Sequence, residues 1–228
     1  MNESLLRRCF AEFLSTFCLV LFGCGAMAVD SRTQALTHLG VAIAWGLVVM
    51  VMIYAVGGVS GAHMNPAVTI AFAIMRRLPL KDALGYVPAQ CLGALAGAFA
   101  IRAVLGVDQS MLGSTWVQLD LGLGAGLAIE FVLTATLMFI VMGVSTGAKE
   151  ETITAALAVG STIALAAMVA GPLTKASMNP ARSLGPAVAA GDISELWLYW
   201  VGPIAGAIAG AFAAHVLHAG RHQTRDDT

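Results

Sequence analysis

Charge is scarce in this sequence. Lys, Arg, Asp and Glu make up 11% of its 228 residues, against about 25% in an ordinary soluble domain. Apolar residues make up 58%, and the mean hydropathy is +0.83. That excludes a water-soluble globular domain and points to a helical integral membrane protein. The few charges nearly balance, to a net −1, so no nucleic-acid partner is implied. Cysteine is also scarce. Cys9, Cys18, Cys24 and Cys91 have no metal or redox spacing, and are expected to pack without a disulfide. No nucleophile–base pair or metal cluster stands out, so neither an enzyme nor a cofactor is expected. Six spans of about 20 residues each nearly use up the length. A soluble catalytic domain has no room.

What is present is one short motif in two copies. Asn65-Pro66-Ala67 sits in Gly-Ala-His-Met-Asn-Pro-Ala, and Asn179-Pro180-Ala181 sits in Lys-Ala-Ser-Met-Asn-Pro-Ala. Asn is a preferred N-cap, because its side-chain oxygen accepts a free N–H of the first turn. Pro is favoured at the first helical position, where no intrahelical N–H bond is needed. Each motif therefore reads as a helix start inside an apolar stretch. After Pro66 the chain stays apolar as far as Met75, and Arg76-Arg77 follows. About ten helical residues span roughly 15 Å, half of a hydrocarbon core of about 30 Å. Two half-helices whose positive N-termini meet at the midplane describe a pore or solute site.

Charges delimit the full spans: about Cys9–Val29, Leu39–Val56, Ala83–Leu105, Leu121–Met142, Thr152–Ala170 and Leu196–His218. The fifth is expected to stop at Gly171-Pro172. Arg7 and Arg8 before an apolar run imitate a signal peptide, but Glu12 interrupts the run, which continues as a full span. The spans repeat internally. Glu12-Phe-Leu-Ser-Thr16 matches Glu130-Phe-Val-Leu-Thr134 at an offset of 118. The motif loops match at 114, and Gly93–Phe99 matches Gly206–Phe212 at 113. Repeat one covers about 9–105 and repeat two about 121–218, within a single membrane domain of residues 1–228. Three spans per repeat is an odd number, so the second copy enters upside down. With both termini in the cytoplasm, eight basic residues lie inside (Arg7, Arg8, Arg76, Arg77, Lys81, Lys149, Arg221, Arg225) and four outside (Arg32, Arg102, Lys175, Arg182). That bias favours cytoplasmic termini.

Several residues carry specific expectations. If each motif Asn caps with its oxygen, its NH₂ group is free to face the pore. Arg182 follows the second motif, and a charge at membrane depth reads as functional. Glu12 and Glu130 stand at equivalent points, either as proton carriers or as acceptors for orphan N–H groups of the motif loops. The second role is favoured. His63 is expected to brace or line the inner half of the pore. His215, His218 and His222 read as a solvated helix end rather than a metal site. Gly93/Gly97 and Gly206/Gly210 allow close helix packing. Lys175 is expected to reach into water, with added positive potential at the outer mouth as the alternative.

The paired motif resembles that of the aquaporin and aquaglyceroporin channels, the major intrinsic proteins, and the resemblance runs from Glu12 to Phe212. It implies an all-α fold of six tilted transmembrane helices and two half-helices meeting at the midplane. It also implies a homotetramer in the cell (inner) membrane, with one pore per protomer and lipid as its surroundings. Both glutamates match the family's Glu-x-x-x-Thr pattern, which braces the loops. By family spacing the outer constriction falls on Trp45, Ala167, Ala176 and Arg182, with Ala166 as the neighbouring register on the fifth span. Water-selective members place Phe and His at the first two positions, and glycerol facilitators place Trp, Gly, Phe and Arg. The set found here looks most like the nodulin-like branch, which implies glycerol, urea and metalloid hydroxides such as arsenite as solutes, besides water. Ser183 and Tyr199-Trp200 lean the other way, toward a water-selective aquaporin. The lack of long polar tails suggests a bacterial type. A secondary transporter is the competing class, with only Glu12 and Glu130 as coupling candidates.

Overall fold

The computed structural model describes residues 3–106, 112–145 and 150–218. Lys149, Arg221, His222 and Arg225 lie outside them. Among the described residues there are eight helices: α1 (Leu5–Thr33), α2 (Thr37–Ser60), α3 (Pro66–Ile74), α4 (Leu80–Leu105), α5 (Leu123–Val144), α6 (Glu150–Thr174), α7 (Pro180–Ala190) and α8 (Leu198–His218). Six are long and apolar enough to cross a membrane. The remaining two, α3 and α7, have 9 and 11 residues and begin at the two motifs.

The outer faces of the long helices are apolar. Phe22, Leu92, Leu165 and Phe212 are exposed, while Glu12, Gln90, Glu130 and Arg182 are buried. That distribution suits a hydrocarbon surround and a polar interior. Helix pairs approach closely through glycine. A Cβ on Gly46 would lie 2.5 Å from the Gly160 carbonyl oxygen, locking α2 to α6. A Cβ on Gly93 would collide with the Phe13 carbonyl, and one on Gly206 with the Phe131 carbonyl. The small-residue pattern is thus used within the chain, for the equivalent pairs α1/α4 and α5/α8.

Helix ends depart from the sequence boundaries in one instructive place. Helix α6 does not stop at Gly171-Pro172 but runs through to Thr174. Pro172 cannot donate to the Met168 carbonyl, and His38 Nε2 meets that oxygen at 2.9 Å. A carbonyl only accepts, so Nε2 carries the hydrogen, and the lost helical bond is replaced from α2. The short α1–α2 connection is tied by Asp30, whose Oδ1 accepts the Leu36 and Thr37 N–H groups at 3.0 and 2.7 Å. Two arginines cap C-terminal carbonyls: Arg32 donates to Leu105 and Arg102 to Ala189.

Both half-helices end in the same turn. Arg76 (φ 56°) and Gly191 (φ 77°) adopt the left-handed conformation. The next N–H reaches back five residues, from Arg77 to Phe72 at 2.9 Å and from Asp192 to Ala187 at 3.0 Å.

Candidate functional site

Helix α2 runs into the first motif loop through Gly61, and α6 into the second through Lys175. Each loop folds back so that its Asn starts a half-helix. The Asn65 oxygen accepts the Ala67 N–H at 2.9 Å, and the Asn179 oxygen accepts those of Ala181 and Arg182 at 3.0 and 3.2 Å. Pro66 and Pro180 occupy the first helical position. The NH₂ groups are not wholly free, contrary to the sequence expectation. Asn65 Nδ2 donates to the Met178 carbonyl and Asn179 Nδ2 to the Met64 carbonyl, each at 2.7 Å. An amide has two N–H bonds, so this use leaves one on each Asn. Met64 and Met178 adopt φ values of 51° and 54°, strained for a side chain with a Cβ.

The folded-back loops have N–H groups with no helical partner, and the two glutamates supply acceptors. Glu12 Oε1 accepts from the Ser60 hydroxyl (2.6 Å) and the His63 N–H (2.9 Å), and Oε2 from the Met64 N–H and Gln90 Nε2, both at 2.8 Å. Glu130 Oε1 accepts from the Thr174 hydroxyl (2.7 Å) and the Ser177 N–H (2.9 Å), and Oε2 from the Met178 N–H (2.8 Å). Tyr86 and Tyr199 donate equivalently, to the Ser60 and Thr174 carbonyls at 2.9 Å each. Ser183, adjacent to Arg182, contacts the Ser177 hydroxyl at 2.6 Å.

Two cavities follow from this scaffold. The inner one, of about 360 Å³, is lined by His63, Asn65, Asn179, Trp45, Ala167, Ala176 and Arg182, and reaches Arg77, Val144 and Ser145. The outer one, of about 820 Å³, is lined by Asp30, His38, Gly113, Trp116, Lys175 and Asp192. Trp45 and Ala167 line both, so the neck lies between them. Ala166 is buried, but Ala167 is the one that faces the cavities.

Arg182 is buried at this neck. Its guanidinium carbon lies 4.6 Å from the Trp45 ring centroid, a cation–π contact. Its Nη1 donates to the Gly113 carbonyl at 2.7 Å, and Nη2 contacts the Met27 sulfur at 3.3 Å. Gly113 has φ +74°, and a Cβ there would meet the Cys24 Cβ at 2.9 Å, so this close approach requires glycine. At sequence level, residues 106–120 read only as a longer loop. Nothing local announces that Gly113 turns inward.

Lys175 does not simply reach into water. It is half-buried, with Nζ 3.9 Å from the Trp116 ring centroid. Across the outer cavity, Asp192 accepts the Ser194 N–H at 2.9 Å, which holds its carboxyl below the ordinary value. His63 stacks on Phe72 (4.8 Å between centroids) and meets Tyr86 edge-on at 5.5 Å. The four cysteines are free thiols. Among the described residues no group of His, Cys, Asp or Glu could hold a metal, and His215 and His218 close α8.

Both the sequence and the fold that carries these paired half-helices are matched by known proteins. The family model described as MIP, major intrinsic protein, matches residues 1–214. The chain belongs to the major intrinsic protein family. It is a multi-pass membrane channel for water and small solutes, and not an enzyme. Aquaporin NIP1-4 of Oryza sativa subsp. japonica is 46% identical over 222 residues, covering 95% of this chain and 79% of the relative. Aquaporin NIP1-1 of the same plant is 45% identical over 218 residues (93% and 74%), and Aquaporin NIP1-2 of Arabidopsis thaliana 43% over 218 residues (93% and 74%). The X-ray structure of the aquaglyceroporin from Plasmodium falciparum matches in fold, with TM-score 0.83, 24% identity, and coverage of 99% of this chain and 100% of that one. The nodulin-like resemblance holds. The bacterial type does not, because these relatives are plant proteins; short polar tails are no guide to kinship set by the membrane core.

Proposed function

We propose that this channel passively conducts small uncharged solutes such as glycerol, urea and metalloid hydroxides including arsenite, together with water, and excludes protons and ions. The observation that carries the reading is the neck. Trp45, Ala167, Ala176 and Arg182 line one cavity, to which they contribute a broad apolar ring, two methyl groups and a fixed guanidinium. Two methyls leave room that a Phe or a His would fill. An apolar wall facing N–H donors suits a solute with an apolar side and hydroxyls.

Arg182, Trp45, Ala167 and Ala176 form the selectivity constriction. The guanidinium repels cations and offers its unused N–H bonds to solute oxygens. Asn65-Pro66-Ala67 and Asn179-Pro180-Ala181 form the midplane. There the positive ends of α3 and α7 and the remaining Asn N–H bonds orient a water oxygen and oppose a proton. Glu12 and Glu130 brace the loops, and His63 lines the inner half.

The chain forms a single channel domain, with inverted repeats of about residues 9–105 and 121–218. It assembles as a homotetramer in the cell (inner) membrane with both termini cytoplasmic, a sidedness supported by the basic-residue bias.

Proteoliposomes carrying the protein test the transport class. Uptake of glycerol, urea and arsenous acid is expected to rise in proportion to concentration and to ignore ionophores. Saturable, ionophore-sensitive uptake would replace the channel by a coupled transporter.

A further inference from the structure

Gln90 has no counterpart in the second half of the molecule. It is fully buried on α4, and its Nε2 donates to Glu12 Oε2 at 2.8 Å and to the Thr69 hydroxyl at 2.9 Å. The amide has one possible orientation. The Glu12 carboxylate only accepts, so the NH₂ end must face it.

This orientation determines the Thr69 hydrogen. The hydroxyl receives an N–H from Gln90, and its other partner among the described residues is His63 Nδ1, at 3.0 Å. Each other buried threonine donates its hydrogen to an oxygen: Thr16 to the Glu12 carbonyl at 2.7 Å and Thr134 to the Glu130 carbonyl at 2.6 Å, four residues back in each case, and Thr174 to the Glu130 carboxylate at 2.7 Å. Among the described residues Thr69 has no carbonyl or carboxylate to donate to. A buried donor without an acceptor costs about 1–3 kcal/mol. The Thr69 hydrogen therefore goes to Nδ1, and Nδ1 must be the unprotonated nitrogen. The proton of the neutral ring then sits on Nε2.

We infer that Gln90 is a positioning residue that, through Thr69, holds His63 in the neutral Nε2–H tautomer, so that the ring presents a permanent hydrogen-bond donor to the inner half of the pore. Stacking on Phe72 and the Tyr86 edge keep the ring from turning over. The second repeat supplies the contrast. Ser177 and Ser183 stand where His63 and Thr69 stand, with their hydroxyls 2.6 Å apart, and Pro203 stands in the place of Gln90 at the 113-residue offset. At this pair of equivalent positions, the glutamine stands in the half whose loop carries a ring with two places for its proton. Solute oxygens thus meet a donor at His63 as they do at Arg182.

The test is ¹⁵N NMR of the full-length protein, labelled at histidine, in lipid nanodiscs at neutral pH. The His63 signals are assigned by difference against His63→Gln. Wild type is expected to show one species, with Nδ1 unprotonated and Nε2 protonated. Gln90→Leu frees Thr69 to accept, and a protonated Nδ1 signal absent from wild type is expected to appear. Thr69→Val should release the ring in the same way, while Thr69→Ser should restore the wild-type spectrum. If Gln90→Leu does not fold, Gln90→Met carries the same comparison. A wild-type Nδ1 that bears the proton, or a Gln90 variant with an unchanged His63 spectrum, would overturn the inference. The tautomer is independent of which solute passes, so this result and the solute reading fail separately.

Discussion

Asn65 and Asn179 each hydrogen-bond to the loop that carries the other. The Asn65 amide donates to the Met178 carbonyl and the Asn179 amide to the Met64 carbonyl, at 2.7 Å in both directions. Each side chain thus does two jobs at once. Its oxygen caps its own half-helix and its nitrogen ties the half-helices together.

Asn179→Asp separates those jobs. The carboxylate still caps Ala181 and Arg182, but it cannot donate to Met64. Losing the tie leaves a buried carbonyl unpaired, at about 1–3 kcal/mol. A lower thermal midpoint in detergent is expected, with a cation leak from the added negative charge at the midplane. Unchanged melting and unchanged ion tightness would remove the tie from the account.

Arg182→Ala removes the cation of the neck and its contacts with Trp45 and Gly113. Proton or cation conductance is expected to appear in planar bilayers. Arg182→Lys should restore it only in part, because an ammonium cannot reproduce the planar stack on Trp45. Recordings identical to wild type would count against Arg182 as the barrier.

Glu12→Gln and Glu130→Gln should lower stability more than they change selectivity. Each puts an amide N–H against donors that now point at an acceptor. Glu12 receives four donors and Glu130 three, so Glu12→Gln should cost more, each by about 1–3 kcal/mol. Thermal unfolding followed by tryptophan fluorescence measures this. A mutant as stable as wild type that has lost flux would favour proton coupling instead.

Most of this scaffold is legible in the sequence because its costs are local. An Asn-Pro pair, a Glu or an Arg inside an apolar span is expensive wherever it points, so each announces a purpose, and the repeat doubles the signal. What escapes is set by distant partners. The passage of α6 through Pro172 depends on His38, more than a hundred residues earlier. The anchoring of Arg182 depends on a carbonyl in a loop whose composition is unremarkable. Lys175 finds an aromatic face in that same loop. Gln90 was detectable in principle, as an amide in the middle of an apolar helix, but its partners Glu12 and Thr69 come together only in the fold.

The account turns on the two alanines at the neck, and stopped-flow light scattering of proteoliposomes tests them most directly. Glycerol and water permeabilities are compared for wild type, Ala176→Phe and Ala167→His at matched protein content. The larger side chains fill space that the methyl groups of Ala167 and Ala176 leave open between them and the Trp45 and Arg182 side chains. Wild type is expected to take up glycerol and arsenous acid well above empty vesicles. Each substitution is expected to slow glycerol by about tenfold or more, equivalent to about 1.4 kcal/mol of added barrier, and to slow water less. Wild-type vesicles that conduct water quickly, yet take up glycerol and arsenous acid no faster than empty ones, would contradict the account and make this a water-selective pore.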